Sequence, residues 1–375
     1  MAVRPHARRP QKIPMTPLVL RDVSADEPPA RAVRKEARTI LAGGGLVALP
    51  TETVYGIAAR ADLPAALERL RALKDRDAEH VFTWHVSDLR ALDHFPELPA
   101  LVGRLAARYW PGPLTLVLKG VPPGLEAVAR SGWTGVRLPA HTATRAVLEF
   151  AGFPVVMTSA NRSGEPPTIG AGAVREAFGD GLDLILDDGA THLSESSSVL
   201  AVGQGRFELL REGLFSRAEL RATAGLSLTF VCTGNTCRSP MAEGLARSLL
   251  ALHLAGAPED FGFTIRSTGV FAGGGSPPSE HAVTALRGMD IDIAEHRSRP
   301  AISAEIGAAD RVYCMTASHV DSLTLSLPPG KARHVMLLDP DGSDLPDPIG
   351  GSLADYRACA ESIRASIQRR LPEWA

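Results

Sequence analysis

The chain has 375 residues, a length that as a soft prior means two domains rather than one. With 45% hydrophobic residues, 22% charged residues and a formal charge of −2, it gives no global case for nucleic-acid or membrane binding, and no apolar run reaches the length of a membrane span. Four cysteines are too few for a disulfide framework and lack the paired spacing of a zinc site, so reduced thiols in a cytoplasmic protein are expected. Only five of the forty basic residues are lysines, which makes a lysine inside a motif informative.

Residues 1–28 are basic and proline-rich with no apolar segment behind them, which predicts a disordered tail rather than a secretory signal, or an RNA-contacting arm. An amphipathic helix is expected from Ala30 to Ala42, stopped by Gly43, Gly44 and Gly45. Apolar runs then recur as strand candidates: GLVALP, VFTWHV, LTLVL, GVRLP, PVVMTS, LDLIL and SVLAV, mostly separated by helical stretches. The pattern predicts an α/β domain with a mixed sheet over 29–215. A short polar connection is expected at 216–225. A second, smaller parallel-sheet α/β domain then spans 226–375, with strands at LTFVC, FTIRSTGV, RVYCM and HVMLL and a long helix from Ser352.

The second domain opens on LTFVCTGNTCRSPMAE, read as strand, loop and helix. Cys232 and Arg238 bracket five residues, and Ser239-Pro240 starts the helix. A loop wrapped at a helix N-terminus turns successive backbone N–H groups inward as an anion nest. That nest, the helix dipole and Arg238 favour a thiolate at Cys232 and suit the oxygens of a phosphoryl group in transfer. Thiolate attack makes a phosphocysteine, and departure of the first group needs a proton donor. Asp347, between Pro346 and Pro348, is assigned as that acid and then as base for the hydrolytic water. A bare C-x5-R is a weak signal. Its bland reading is a core cysteine with an unrelated arginine, and the strand, the Ser-Pro and the distant Asp-Pro argue against that.

With VCTGNTCRSPMAE, RSTGV, GMDIDIAEHRSRP, ADRVYCMT and DPIGGS, residues 226–375 resemble a low-molecular-weight protein phosphatase. The resemblance implies that Ser239 bonds the thiolate and Asn235 braces the loop. It also implies that Cys237 forms a reversible disulfide with Cys232, a plain loop cysteine being the alternative. The family needs no metal and acts on phosphorylated protein side chains. Thr236 stands where tyrosine-directed relatives usually carry an apolar residue, and Ile349, Gly350 and Gly351 stand where they place aromatics. Thr236 therefore resembles the protein-arginine-phosphatase branch, and its hydroxyl can accept from a guanidinium; a residue that only caps the loop is the alternative.

The first domain carries five motifs, PTETVYG, LKDR, WPGPLT, VRLPAH and TSANRSG, each between elements where binding residues usually sit. They supply hydroxyls, amides and fixed cations suited to a triphosphate and a small zwitterion. Singly they are weak: Thr51 or Thr53 can be a helix N-cap, Lys74 and Arg76 can merely end a helix, and WPGP can be a turn with a core tryptophan. Together, in this order, they resemble the threonylcarbamoyl-AMP synthase family with its YrdC-like fold, over about residues 30–215.

The resemblance implies joining of L-threonine, bicarbonate and ATP, with Mg²⁺ on the phosphates, into an adenylate that serves tRNA modification. Lys74, Arg76 and Arg137 then offset phosphate charge, Thr51 and Thr115 face threonine, and Ser159, Asn161 and Arg211 face the nucleotide. Asp77 and Val81 stand where the family has prolines, and Asp77 sets a negative charge beside the two cations. Two other readings stay open for this domain. One is a nucleotide- or RNA-binding module without chemistry; the other is a hydrogenase-maturation relative, disfavoured because the chain lacks that group's acylphosphatase and zinc-finger segments.

Overall fold

The computed structural model describes residues 18–19, 28–77, 81–96, 98–162, 165–203, 205–328, 330 and 332–375. The expected N-terminal tail lies outside the described residues, apart from residues 18, 19 and 28. The described chain forms two compact units. One is drawn from the chain before residue 217, except segments 98–108 and 203–207; those segments join the second unit with everything from residue 217 on.

The first unit is built on a mixed sheet. Its strands are β1 (Leu18–Val19), β2 (Val47–Leu49), β3 (Gly56–Arg60), β4 (Thr83–His85), β5 (Leu114–Lys119), β6 (Trp133–Arg137), β7 (Val155–Ser159), β8 (Leu184–Asp187), β9 (Ser198–Gly203) and β10 (Arg206–Arg211). Their spatial order is β1-β8-β2-β3-β7-β4-β6-β5-β9-β10. Pairing is antiparallel at β2–β3, β3–β7, β4–β7 and β5–β6, and parallel at β2–β8, β4–β6 and β5–β9. Its helices are α1 (Pro28–Ala42), α2 (Pro64–Lys74), α4 (Thr142–Ala151) and α5 (Ala171–Phe178), while α3 (Ala100–Tyr109) lies almost wholly in segment 98–108 and goes with the second unit.

Strand alternation sorts the core into two layers. Ile57, Ala59, Val156 and Ile185 face Leu67 and Leu70 of α2 and Val174 and Phe178 of α5. Ala58, Val155, Met157 and Leu184 face Val33, Ala37 and Leu41 of α1 and Val147 of α4. Both faces being covered, the strands are apolar nearly throughout, which is why they are visible as apolar runs. The expected polar connection after residue 215 is instead a short helix, α6 (Arg217–Ala224). Its buried Leu220 and Ala224 anchor a segment whose composition is mostly polar.

The second sheet is wholly parallel, in the order β12-β11-β13-β14. Its strands are β11 (Ser227–Cys232), β12 (Thr264–Gly269), β13 (Arg311–Cys314) and β14 (Val335–Leu337). Parallel neighbours need crossovers, supplied here largely by helices α7 (Arg238–Leu254), α8 (Glu280–Arg287), α9 (Ser303–Ala308) and α10 (Ala317–Ser326). Helix α11 (Leu353–Trp374) closes the unit, started by a capping box in which Ser352 and Asp355 exchange bonds. Val231, Val312 and Cys314 pack on one face against Ile306, Leu323 and Leu327. The indole N–H of Trp374 donates to the Tyr313 hydroxyl at 2.7 Å, so that buried aromatic pair is also polar-satisfied.

Candidate active sites

Strand β11 ends at Cys232, and the chain turns through residues 233–237 before α7 starts at Arg238. The turn needs Asn235 in the left-handed region (φ 55°), a conformation asparagine tolerates better than most residues. It also needs Gly269 behind it, because a Cβ there would stand 2.5 Å from the Thr233 carbonyl oxygen. Asn235 bonds to three neighbours across the loop. Its Nδ2 donates to Ser239 Oγ and to Ser267 Oγ, both at 2.9 Å, and its Oδ1 accepts from the Arg299 backbone N–H at 2.8 Å. Ser239 Oγ lies 3.0 Å from Cys232 Sγ and donates to the Thr268 carbonyl at 3.2 Å.

Arg238 is buried and donates through Nη1 to the Leu345 carbonyl at 3.1 Å, while its Nη2 pairs with Asp347 Oδ2. The residues chosen as nucleophile, loop brace, phosphoryl holder and acid are thus brought to one place. All four cysteines are free thiols. Cys314 and Cys359 are pushed up to about 12 by burial, which makes them inert packing groups. Cys237 Sγ sits 3.3 Å from the Tyr356 hydroxyl and 3.6 Å from Ser279 Oγ. Thr236 is half-buried, with its hydroxyl 3.7 Å from that sulfur.

Three contributors are invisible in the motif. Ser267 links Asn235 to Glu243 Oε2, at 2.7 Å. His319 is buried with one ring nitrogen 3.0 Å from Thr233 Oγ1 and the other 2.8 Å from Thr316 Oγ1, and burial and the nearby Arg238 charge hold its pKa below the usual range. Phe271, 80% exposed, is joined to the loop by its backbone N–H, which donates to the Thr233 carbonyl at 3.0 Å.

In the first unit, hydrogen bonds tie the five motifs into one locus. The Ala160 N–H donates to the Tyr55 carbonyl at 2.7 Å, joining TSAN to PTETVYG. Arg137 Nη2 donates to Glu52 Oε1 at 2.5 Å and to Thr53 Oγ1 at 2.9 Å, joining VRLPAH to the same loop. The Gly112 N–H donates to the Leu138 carbonyl at 2.8 Å, adding WPGP. Lys74 Nζ donates to the Ser159 carbonyl at 2.8 Å and to the Asn161 carbonyl, adding LKDR.

No helix follows PTET, which connects antiparallel β2 and β3, so Thr51 and Thr53 are not helix N-caps. Thr51 is instead saturated inside its own turn: its hydroxyl donates to the Val54 carbonyl at 2.6 Å and accepts from the Val54 N–H at 3.2 Å. Thr115 Oγ1 lies 3.1 Å from Ser197 Oγ, which accepts from Arg211 Nη2 at 3.0 Å. Arg211 thus stands with Thr115, apart from the pairing of Ser159 and Asn161 with Lys74. Burial, and then the charge of Arg137, lower the Arg211 pKa.

Burial and the charges of Arg76 and Arg162 push Lys74 down to about 8. Among the described residues, Arg76 Nε and Asn161 Oδ1 are buried without a hydrogen-bond partner. The orphaned Arg76 donor beside a lysine fits a polyanionic ligand such as a triphosphate, whereas the Asn161 oxygen, an acceptor, calls for a donor such as a hydroxyl or an amino group. Glu52, passed over in the sequence, is the buried partner of Arg137. Burial raises its pKa, but the Arg137 charge and hydrogen bonds, including one from the Ala140 N–H at 2.9 Å, outweigh that and leave it lowered.

Residues 39–213 match the Sua5–YciO–YrdC family model, described as Telomere recombination, and residues 227–374 match the family model of low molecular weight phosphotyrosine protein phosphatases. A threonylcarbamoyl-AMP synthase of Pyrococcus abyssi is 35% identical over 190 residues, 48% of this chain and 54% of that protein, so the chain spans about half of that relative's length. A threonylcarbamoyl-AMP synthase of Nitrosococcus oceani is 38% identical over 159 residues, 41% of this chain and 84% of the relative. A protein-arginine-phosphatase of Geobacillus stearothermophilus is 37% identical over 145 residues, 38% of this chain and 91% of the relative. The chain therefore belongs to two families joined in one polypeptide, the threonylcarbamoyl-AMP synthase family in front and the low-molecular-weight protein phosphatases behind.

Proposed function

We propose that the chain is a bifunctional enzyme, making threonylcarbamoyl-AMP and pyrophosphate from L-threonine, bicarbonate and ATP in front and hydrolysing protein phosphate groups behind. The observation that carries the front activity is the locus of five bonded motifs, with Lys74 at about 8 and the orphaned Arg76 Nε beside it. In this reading threonine's amine condenses with bicarbonate to a carbamate, with loss of one water, and the carbamate oxygen then attacks the α-phosphate, expelling pyrophosphate. Lys74, Arg76, Ser159 and Asn161 hold the nucleotide. Arg137 is held by Glu52 and shapes the floor of the site; Thr115, with Ser197 and Arg211, takes threonine, and Thr51 braces the loop. Mg²⁺ bound to the phosphates would offset their charge. The adenylate serves tRNA modification.

The second reading, a nucleotide- or RNA-binding module without chemistry, is favoured by the pairing of Arg137 with Glu52 and by Asp77 beside the cations. Lys74→Ala and Arg76→Ala separate the two. Each is expected to cost about 2–4 kcal/mol of barrier, the scale of removing one preorganised charge contact. Wild-type rate should also fall as pH rises through about 8, where Lys74 loses its proton. Normal rates in both variants would leave these residues as helix-end charges.

In the phosphatase, Cys232 Sγ attacks phosphorus while Asp347 protonates the leaving group. Asp347 then takes a proton from the water that splits the phosphocysteine, with Arg238 and the loop N–H groups on the phosphoryl oxygens. Cys237 is its reversible disulfide partner on oxidation. Phosphoarginine is the favoured substrate over phosphotyrosine, supported by Thr236 and by the arginine-phosphatase relative. Exposed Phe271 suits a guanidinium as well as a phenyl ring, so it does not decide the matter. Thr236→Ile should move the kcat/KM ratio toward phosphotyrosine peptides by roughly tenfold, the order of one lost hydrogen bond to a charged group. An unchanged ratio, or a wild-type preference for phosphotyrosine, would end the arginine assignment.

A further inference from the structure

The phosphatase unit holds a cavity of about 350 Å³, away from the nucleophile loop, that the proposed hydrolysis does not use. Ser267 points toward Asn235 and Glu243 of α7, so strand alternation turns Arg266 and Thr268 to the opposite face. There they line the cavity together with Thr229 of β11, and Ala304, Glu305 and Ala308 of α9 form its wall. Thr268 is 2% exposed, and its hydroxyl has no hydrogen-bond partner among the described residues. A buried hydroxyl is ordinarily satisfied; this one is closed off at the cavity wall, and a χ1 rotation would offer it to whatever enters.

Charge narrows what that is. The lining carries one cation, Arg266, on the strand side and one anion, Glu305, on the helix side, both solvent-exposed, together with the hydroxyls of Ser227, Thr229, Thr264 and Thr268. No ion pair joins the two among the described residues. A guanidinium takes a carboxylate, a carboxylate takes an ammonium, and the hydroxyls take a short polar side chain. We infer that this cavity binds a small α-amino acid, its carboxylate on Arg266, its ammonium on Glu305 and a polar group on Thr268. The site is one peptide group from the chemistry: the Thr268 carbonyl accepts from Ser239 Oγ, which lies 3.0 Å from Cys232 Sγ.

The test is a titration of the full-length protein with L-threonine, L-serine, acetate and ethylamine, read on the backbone amide NMR signals of Thr268, Ala304 and Ala308. Reading those signals separates this site from any threonine bound by the first unit. Both amino acids should shift them saturably, and acetate or ethylamine at the same concentrations should not. Arg266→Gln should weaken the binding about tenfold or more, as loss of a charge-assisted contact does, and Thr268→Val should weaken it less. Unmoved signals, acetate acting as well as an amino acid, or wild-type affinity in Arg266→Gln would each overturn the inference.

Discussion

Cys232→Ser should abolish phosphatase turnover, by about four orders of magnitude or more, while the protein stays folded; that is the scale on which removing a nucleophile acts. A serine hydroxyl is a far weaker nucleophile than a thiolate at neutral pH. Ser239, 3.0 Å from the sulfur, is a partner of the nucleophile rather than a substitute, since its hydroxyl is already engaged with Asn235 and the Thr268 carbonyl. The replacement is nearly isosteric and keeps those bonds, so the thermal unfolding midpoint should stay close to wild type. Residual turnover within tenfold of wild type would sink the assignment. Asp347→Asn is the companion: it should still form phosphoenzyme with activated aryl phosphates, whose leaving groups need little protonation.

The largest effect on stability is expected from Arg137→Ala. Arg137 and Glu52 are both buried, and Glu52 Oε1 takes its bond from that guanidinium. Removing one partner of a buried pair leaves an uncompensated charge and costs about 3–5 kcal/mol. Denaturant unfolding of the first unit should register that loss, and Glu52→Gln with Arg137→Met should recover much of it. The pH dependence has a definite sign. Because the folded-state pKa of Glu52 is lowered, the pair's contribution is present above the ordinary value of 4.5 and is lost as pH falls through the depressed one. The gap between wild type and Arg137→Ala should therefore narrow in acid. A gap independent of pH would mean that the arginine acts by packing alone.

How much of this was legible in sequence depends on how local each feature is. The phosphate loop is contiguous, since an anion nest at a helix N-terminus needs its residues in a row, and so Cys232, Asn235, Arg238 and Ser239 can be read directly. Asp347 stands alone but is marked by its flanking prolines. Ser267, His319 and Tyr356 act across 32, 86 and 119 positions, and although Ser267 lies in the RSTGV run, nothing local signals these pairings. Glu52 was hidden for the same reason, its partner being 85 positions away, and Ser197 lies in a serine-rich stretch that reads as loop.

Among the elements, β3 is missed because GIAAR has small residues in place of a branched apolar run, and β10 because exposed charges interrupt it. The five motifs of the first unit are joined by hydrogen bonds, but the pairings within the group are not legible in their sequences. Arg211 joins Thr115 through Ser197 because register between distant strands decides that contact, whereas Thr51 closes its own turn through local bonds to Val54.

The central claim is that one chain carries two chemistries, and the most direct measurement is pyrophosphate release by the full-length Cys232→Ser protein. That variant removes the phosphatase without touching the front site, so any product comes from the first unit. With ATP, Mg²⁺ and bicarbonate present, release should rise saturably on adding L-threonine and fall by about 2–4 kcal/mol of barrier when Lys74→Ala is added. Release that is absent, or indifferent to threonine, would contradict the account and leave the first unit a binding module fused to a phosphatase.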